Sequence, residues 1–202
     1  NNNCTNNYNG IGLDNCAFST VTNNTCNNND RNGIGLGASN YSIVADNTCN
    51  HNYYGIEINH ASNNTISWNI LVGNEVYGIG ISDNSASNVI HHNDFIVNGQ
   101  DTSQACDNGR NNQWYDETVL EGNYWFDYSG NGSYIIAGSA EASDPYPSLS
   151  PYRYIPKQDS SSSPQSILVR VGLFLGVIGL LGVILFVNRW RKASYVFRSK
   201  QQ

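Results

Sequence analysis

Over residues 1–100 apolar side chains return at a fixed interval between short polar stretches. Five segments share the form Asn-x-apolar-x-x-Asn: Asn2/Cys4/Asn7, Asn24/Cys26/Asn29, Asn47/Cys49/Asn52, Asn69/Leu71/Asn74 and Asn93/Phe95/Asn98. Their first asparagines stand 22 to 24 residues apart. Three or four residues beyond each of the first four closing asparagines a glycine opens Gly-Ile-x-Leu/Ile, at Gly10, Gly33, Gly55 and Gly78. Another aliphatic, Val21, Val44, Ile66 or Ile90, precedes each of Asn24, Asn47, Asn69 and Asn93 by three positions. Landmarks that keep phase over several copies mark a repeat architecture.

A unit of this length, with short alternating strands broken by Asn and Gly, predicts one coil of a parallel β-solenoid. Apolar residues face inward at period two, and neighbouring coils stack about 4.8 Å apart. Residues in phase then form columns: Cys4, Cys26, Cys49, Leu71 and Phe95 in one, Ile11, Ile34, Ile56 and Ile79 in another. The asparagines are expected at the corners, where Asn tolerates the left-handed backbone, with stacked amides bonding along the axis. Asn24, Asn47, Asn69 and Asn93 are the expected structural ladder. A leucine-rich repeat has a similar period but needs about four leucines per unit, and these units carry one or none.

The pattern degrades after residue 100. Residues 101–155 become aromatic, with Trp114-Tyr115, Tyr124-Trp125-Phe126 and Tyr134, and are expected to fold over the open end of the last coil as a cap. Residues 156–166 read as a Ser/Pro linker. The apolar run 167–187, interrupted only by Arg170, is about 31 Å long at 1.5 Å per residue and predicts a membrane-spanning helix over 167–188, with Gly172 and Gly176 offering a face for self-association. The tail 189–202 carries Arg189, Arg191, Lys192, Arg198 and Lys200. That positive bias places it in the cytoplasm and the repeats outside, in the extracellular or periplasmic space.

Charge narrows the partners. All 16 acidic residues precede residue 160, opposed there by Arg31, Arg110, Arg153 and Lys157, so a nucleic-acid footprint is lacking. The chain has no methionine and begins inside a repeat, which points to an N-terminally incomplete solenoid. Cys4, Cys26 and Cys49 share the inward column and are expected as buried thiols; the pairing of Cys16 and Cys106 stays open.

The coils, followed by Asn112-Gln113-Trp114 and by Gly122-Asn123-Tyr124-Trp125-Phe126-Asp127-Tyr128, resemble the NosD-like proteins of the pectate-lyase-like solenoid group. The resemblance spans about residues 1–150. It implies an all-β, right-handed parallel β-helix of about 22 to 24 residues per coil, here with one C-terminal transmembrane α-helix, in an exported protein with a C-terminal membrane anchor. Members are linked to copper-enzyme maturation and to carbohydrate binding or cleavage. One departure is that Ser129-Gly130-Asn131-Gly132-Ser133 has no carboxylate, where members often carry a calcium-like loop.

No catalytic set emerges. A β-helix lyase needs clustered carboxylates and a basic proton acceptor, but Arg31 is the only Arg or Lys of the coils. The column five residues after the opening glycine is Asn15, Ala38, His60 and Asp83, which places His60 beside Asp83 with Glu57 facing outward. Tyr53, Tyr54 and Tyr77 offer rings to a pyranose or to each other. These six are the candidate carbohydrate-binding residues. His51, His60, His91 and His92 occupy different coil positions, so neither a metal site nor a cofactor is expected. Sequons at Asn3, Asn23, Asn40, Asn63 and Asn131 permit glycosylation. The expected role is membrane-anchored display of a non-catalytic binder of polysaccharide or a surface protein. The alternatives are a carbohydrate-active enzyme with catalytic coils upstream and a copper-enzyme accessory.

Overall fold

A chain whose apolar residues recur every 22 to 24 positions can bury them by winding, each turn hydrogen-bonding to the next, and this chain does so. The structure, a computed structural model, describes residues 1–99 and 103–154. The expected linker, membrane helix and tail, with Gly172 and Gly176, lie outside the described residues. Among the described residues no helix is long and apolar enough to cross a membrane.

The first coil carries β1 (Ile11–Asp14) and β2 (Thr20–Thr22). The second carries β3 (Asn32–Gly37), β4 (Ile43–Ala45) and β5 (Thr48–Asn50). The third carries β6 (Tyr54–Asn59), β7 (Thr65–Ser67) and β8 (Ile70–Val72), and the fourth β9 (Tyr77–Ile81), β10 (Val89–His91) and β11 (Asp94–Ile96). Then come β12 (Ala105–Asp107) and β13 (Tyr124–Trp125), followed by the antiparallel pair β14 (Tyr134–Ile135) and β15 (Ser143–Asp144). Three parallel sheets form the walls, in the orders β1-β3-β6-β9-β12, β10-β7-β4-β2 and β13-β11-β8-β5.

Register converts sequence phase into columns. Ile11, Ile34, Ile56, Ile79 and Ala105 pair in succession, as do Cys49, Leu71, Phe95 and Trp125, and Val21, Val44, Ile66 and Ile90. Cys26, Cys49 and Leu71 are all 0 % exposed, so this column is interior. Cys4, on the first rung, is only half-buried, and all five cysteines are free thiols. The phased glycines have a steric cause: a methyl group at Gly55 would stand 2.5 Å from the Gly78 carbonyl oxygen and 2.9 Å from the Asn74 amide nitrogen.

The amides run in continuous ladders. Asn24, Asn47, Asn69 and Asn93 each use Oδ1 to accept the backbone N–H and the Nδ2–H of the preceding rung, at 2.9–3.1 Å. Asn52, Asn74 and Asn98 repeat the scheme, whereas Asn29 accepts only the Asn7 N–H while Asn7 Nδ2 donates to Thr5 O, and Gln104 closes that ladder by accepting from the Asn98 N–H at 2.8 Å. A third ladder runs Ser19, Ser42, Asn64, Asn88, Asn112.

The left-handed residue at each corner is the one before the ladder residue. Asn23, Asp46, Trp68 and His92 have φ of 56–59°, and Asn28, His51, Gly73 and Val97 have φ of 52–62°. This corrects the expectation that the ladder asparagines themselves take the left-handed conformation. The ladder amide hydrogen-bonds along the axis, while its predecessor turns the chain.

The winding continues past residue 100. β12 pairs with β9, β13 pairs with β11, and Ala137 bridges Cys106. Aromatic rings fill the core here: Phe95 stacks on Trp125 at 4.2 Å and Trp125 on Tyr134 at 4.1 Å. The indole N–H of Trp114 donates to Asp107 and that of Trp125 to Asp144, both at 2.9 Å. Burial raises the Asp144 carboxyl pKa, against the hydrogen bonds it accepts from Asn123, Trp125 and Tyr146. Residues 152–154 then form a strap whose three backbone N–H groups donate to the fully buried Asp94 carboxylate at 2.6–2.7 Å.

Candidate functional site

Tyr54 and Tyr77 are register partners on the outer face of the five-stranded sheet, with ring centroids 6.1 Å apart. Glu57 pairs in register with Gly35 and Gly80, so a carboxylate stands between two bare backbone positions. The Tyr54 ring lies over Gly80, where a methyl group would meet it at 3.1 Å. A cleft of about 180 Å³ results, lined by Tyr54, Glu57, Tyr77, Gly80, Ser82, Cys106 and Asn108 among others. Glu57 Oε2 accepts from Asn32 Nδ2 at 2.7 Å and pairs with Arg31 at 3.4 Å. Burial is the first cause raising the pKa of Tyr54, Tyr77 and the Cys106 thiol.

The other three candidates lie elsewhere. Tyr53 packs edge-on to Tyr54 at 5.1 Å but lines a separate polar recess with Asp30, His51 and Glu75. His60 contacts Asn59 and Asn84, and it is Asn84 that donates to Asp83 at 3.1 Å. His60 and Asp83 are therefore linked through an amide at a corner outside the cleft. Of the sequon residues, Asn3, Asn23, Asn63 and Asn131 are exposed, while Asn40 is half-buried and accepts from the Ser62 N–H at 2.7 Å.

A second constellation was not assembled from the sequence. His91 ends β10, and His92 follows in the left-handed conformation at φ 56°. Neighbours along an extended strand point to opposite faces, but the turn at His92 brings the two imidazoles together, with Nδ1 to Nδ1 at 2.5 Å. Asp116 bridges Glu121 in an antiparallel pair, its N–H donating to the Glu121 carbonyl at 2.7 Å, so this turn carries two carboxylates to the same corner. His91, His92 and Asp116 each offer a ligand atom within 4.8 Å of the others. Glu121 Oε2 lies 2.7 Å from His92 Nε2. Trp68, one rung below, stacks on His92 at 4.3 Å and 11°, and Tyr152 of the strap meets its edge at 4.8 Å.

The electrostatics suit a cation. Burial and the neighbouring His92 lower the His91 pKa, opposed by Asp116, which favours a neutral ring with a lone pair to offer. The Asp116 carboxyl pKa is lowered, first by the hydrogen bond from the Thr118 backbone N–H. Two imidazole nitrogens and one carboxylate oxygen, with no thiolate or thioether in the group, match an oxidised divalent d-block ion rather than a soft monovalent one. This differs from the sequence expectation that the histidines fall at separate positions. The available signal was the His91-His92 doublet just before a ladder Asn.

Residues 1–130 match the family described as periplasmic copper-binding protein (NosD). The chain belongs to the NosD family. No curated protein and no solved structure matches it. The NosD match takes in the coils, the tyrosine-walled cleft and all of His91, His92, Asp116 and Glu121, whereas the strap lies beyond it.

Proposed function

We propose that this NosD-family chain is a copper-binding protein of the periplasmic or extracellular space, holding copper(II) through His91, His92 and Asp116. The observation that carries this reading is the convergence of three donors of the right chemistry on one corner of a rigid wall. Imidazole and carboxylate donors suit copper(II) well, and divalent affinities for such sites peak at copper. The fixed rings supply binding; no reaction is assigned to the ion. Chelator competition on the full chain tests this. His91→Ala is expected to weaken copper(II) binding at least tenfold with the fold intact. Equal affinity of wild type and His91→Ala would remove the proposal.

A second reading is favoured by the cleft over Gly80. Two tyrosine rings flank a carboxylate and the hydroxyl and amide of Ser82 and Asn108, which suits stacking and hydrogen bonding to a neutral sugar. In that reading the solenoid, right-handed and anchored by the 167–188 helix, displays the cleft at the cell surface and binds glycan without cleaving it. Titration with neutral oligosaccharides should perturb wild-type NMR signals from the cleft and leave Tyr54→Ala/Tyr77→Ala unperturbed. Equal response of both proteins, or release of shortened products, would count against it.

A further inference from the structure

We infer that Glu121 is a positioning residue that holds the His92 proton on Nε2, leaving Nδ1 of His92 as the atom that faces His91 and takes the ion. The inference rests on the copper reading for its consequence but not for its geometry. His92 is 4 % exposed, so its ring has few partners to choose from. One nitrogen, Nε2, faces the Glu121 carboxylate at 2.7 Å. An ionised carboxylate only accepts, so the proton on that contact belongs to the imidazole. The other nitrogen, Nδ1, lies 2.5 Å from His91 Nδ1 and, carrying no proton, accepts the N–H of His91 there, a proton that His91 gives up or turns away when the ion enters.

Glu121 is held where it is by backbone. The next carbonyl, Gly122 O, accepts the His92 N–H at 2.7 Å, and the Glu121 carbonyl accepts from Asp116 at 2.7 Å. The carboxylate is thus tied in sequence to the peptide that bonds its own target residue. Ring rotation is blocked as well, because Trp68 stacks on one side of His92 and Tyr152 packs at 64° to it. The contribution to stability is small, since the Glu121 side chain is 54 % exposed and such pairs are screened. Its effect lies in choosing the tautomer, and outer carboxylate partners of this kind orient metal-binding histidines.

The test has two readouts. In wild type without metal, nitrogen-15 NMR at mildly alkaline pH should show His92 protonated on Nε2. Glu121→Ala should give a mixture of tautomers and weaken copper(II) binding about tenfold. Glu121→Gln, whose amide oxygen still accepts, should restore both. A His92 ring protonated on Nδ1 in wild type overturns the inference. So does unchanged copper affinity and tautomer in Glu121→Ala, and if His91→Ala still loses copper the parent reading survives alone. Wild type that shows the Nε2–H tautomer, lost in Glu121→Ala, but takes up no copper supports the positioning role and removes the copper reading.

Discussion

Asn69→Leu is expected to cost about 4 kcal/mol or more and to open the middle coils before the rest. Asn69 is 1 % exposed and sits at the centre of its ladder. Its Oδ1 accepts from the Asn47 N–H at 3.0 Å and from Asn47 Nδ2 at 3.1 Å. Its Nδ2 donates to Val44 O and to Asn93 Oδ1, both at 2.9 Å. Leucine is similar in size but satisfies none of these. Each buried group left without a partner costs about 1–3 kcal/mol, which is a large share of the roughly 5–15 kcal/mol that stabilises a domain. Because each coil touches only its neighbours, the loss is local. Hydrogen exchange should therefore accelerate first in β4, β5, β7 and β8. Asn2→Leu at the start of the same ladder is the comparison, with exposed Asn2 making a smaller difference. A cost for Asn69→Leu below about 1 kcal/mol would mean that the sheets carry the corner without the amides.

How far the sequence reveals this architecture depends on whether the physical cause leaves a periodic trace. Coil length and the columns through Cys49 and Ile56 are legible, because a stacked wall forces equivalent residues into phase. The third ladder is not, since it mixes Ser19 and Ser42 with Asn64, Asn88 and Asn112 and so shows no repeated letter. Gln104 closes the second ladder only six residues after Asn98, where a full coil would be expected, and its longer side chain makes up the reach. The left-handed positions are hidden for another reason. They accept residues as different as Asn23, Trp68 and Val97, so composition does not announce them. That concealment also hid the histidine cluster, since alternation along a strand sends His91 and His92 to opposite faces unless one knows that His92 turns the corner. Asp116 and Glu121 follow the last regular repeat and had no phase to place them. The cleft is partly legible: Tyr54 and Tyr77 fall at equivalent positions before the opening glycines and Glu57 faces outward on the coil of His60, whereas Cys106 and Asn108 come from a coil whose repeat has faded.

Asp94→Leu is expected to release the strap, raising hydrogen exchange at the amides of Tyr152, Arg153 and Tyr154 by about two orders of magnitude. Two of the interactions that hold this segment involve carboxylates, and their magnitudes decide which of them matters. Arg153 pairs with Asp46 at 2.7 Å, but the two side chains are 36 % and 41 % exposed, and a pair of that kind contributes about 0–1 kcal/mol. Asp94 is fully buried and takes three backbone N–H groups on one carboxylate. Hydrogen bonds to a charged group contribute about 1.5–3 kcal/mol each. The gross sum exceeds what the strap can lose, because freed amides turn to water once it lifts; about 3 kcal/mol of local opening energy is the expected net difference. Arg153→Ala should accordingly change exchange less than tenfold. Should Asp94→Leu leave the strap amides protected, the anchor must instead be Tyr152, whose ring packs on Trp68 and His92 and whose hydroxyl donates to Gly122 O. Tyr152→Ala would then produce the loss that Asp94→Leu did not.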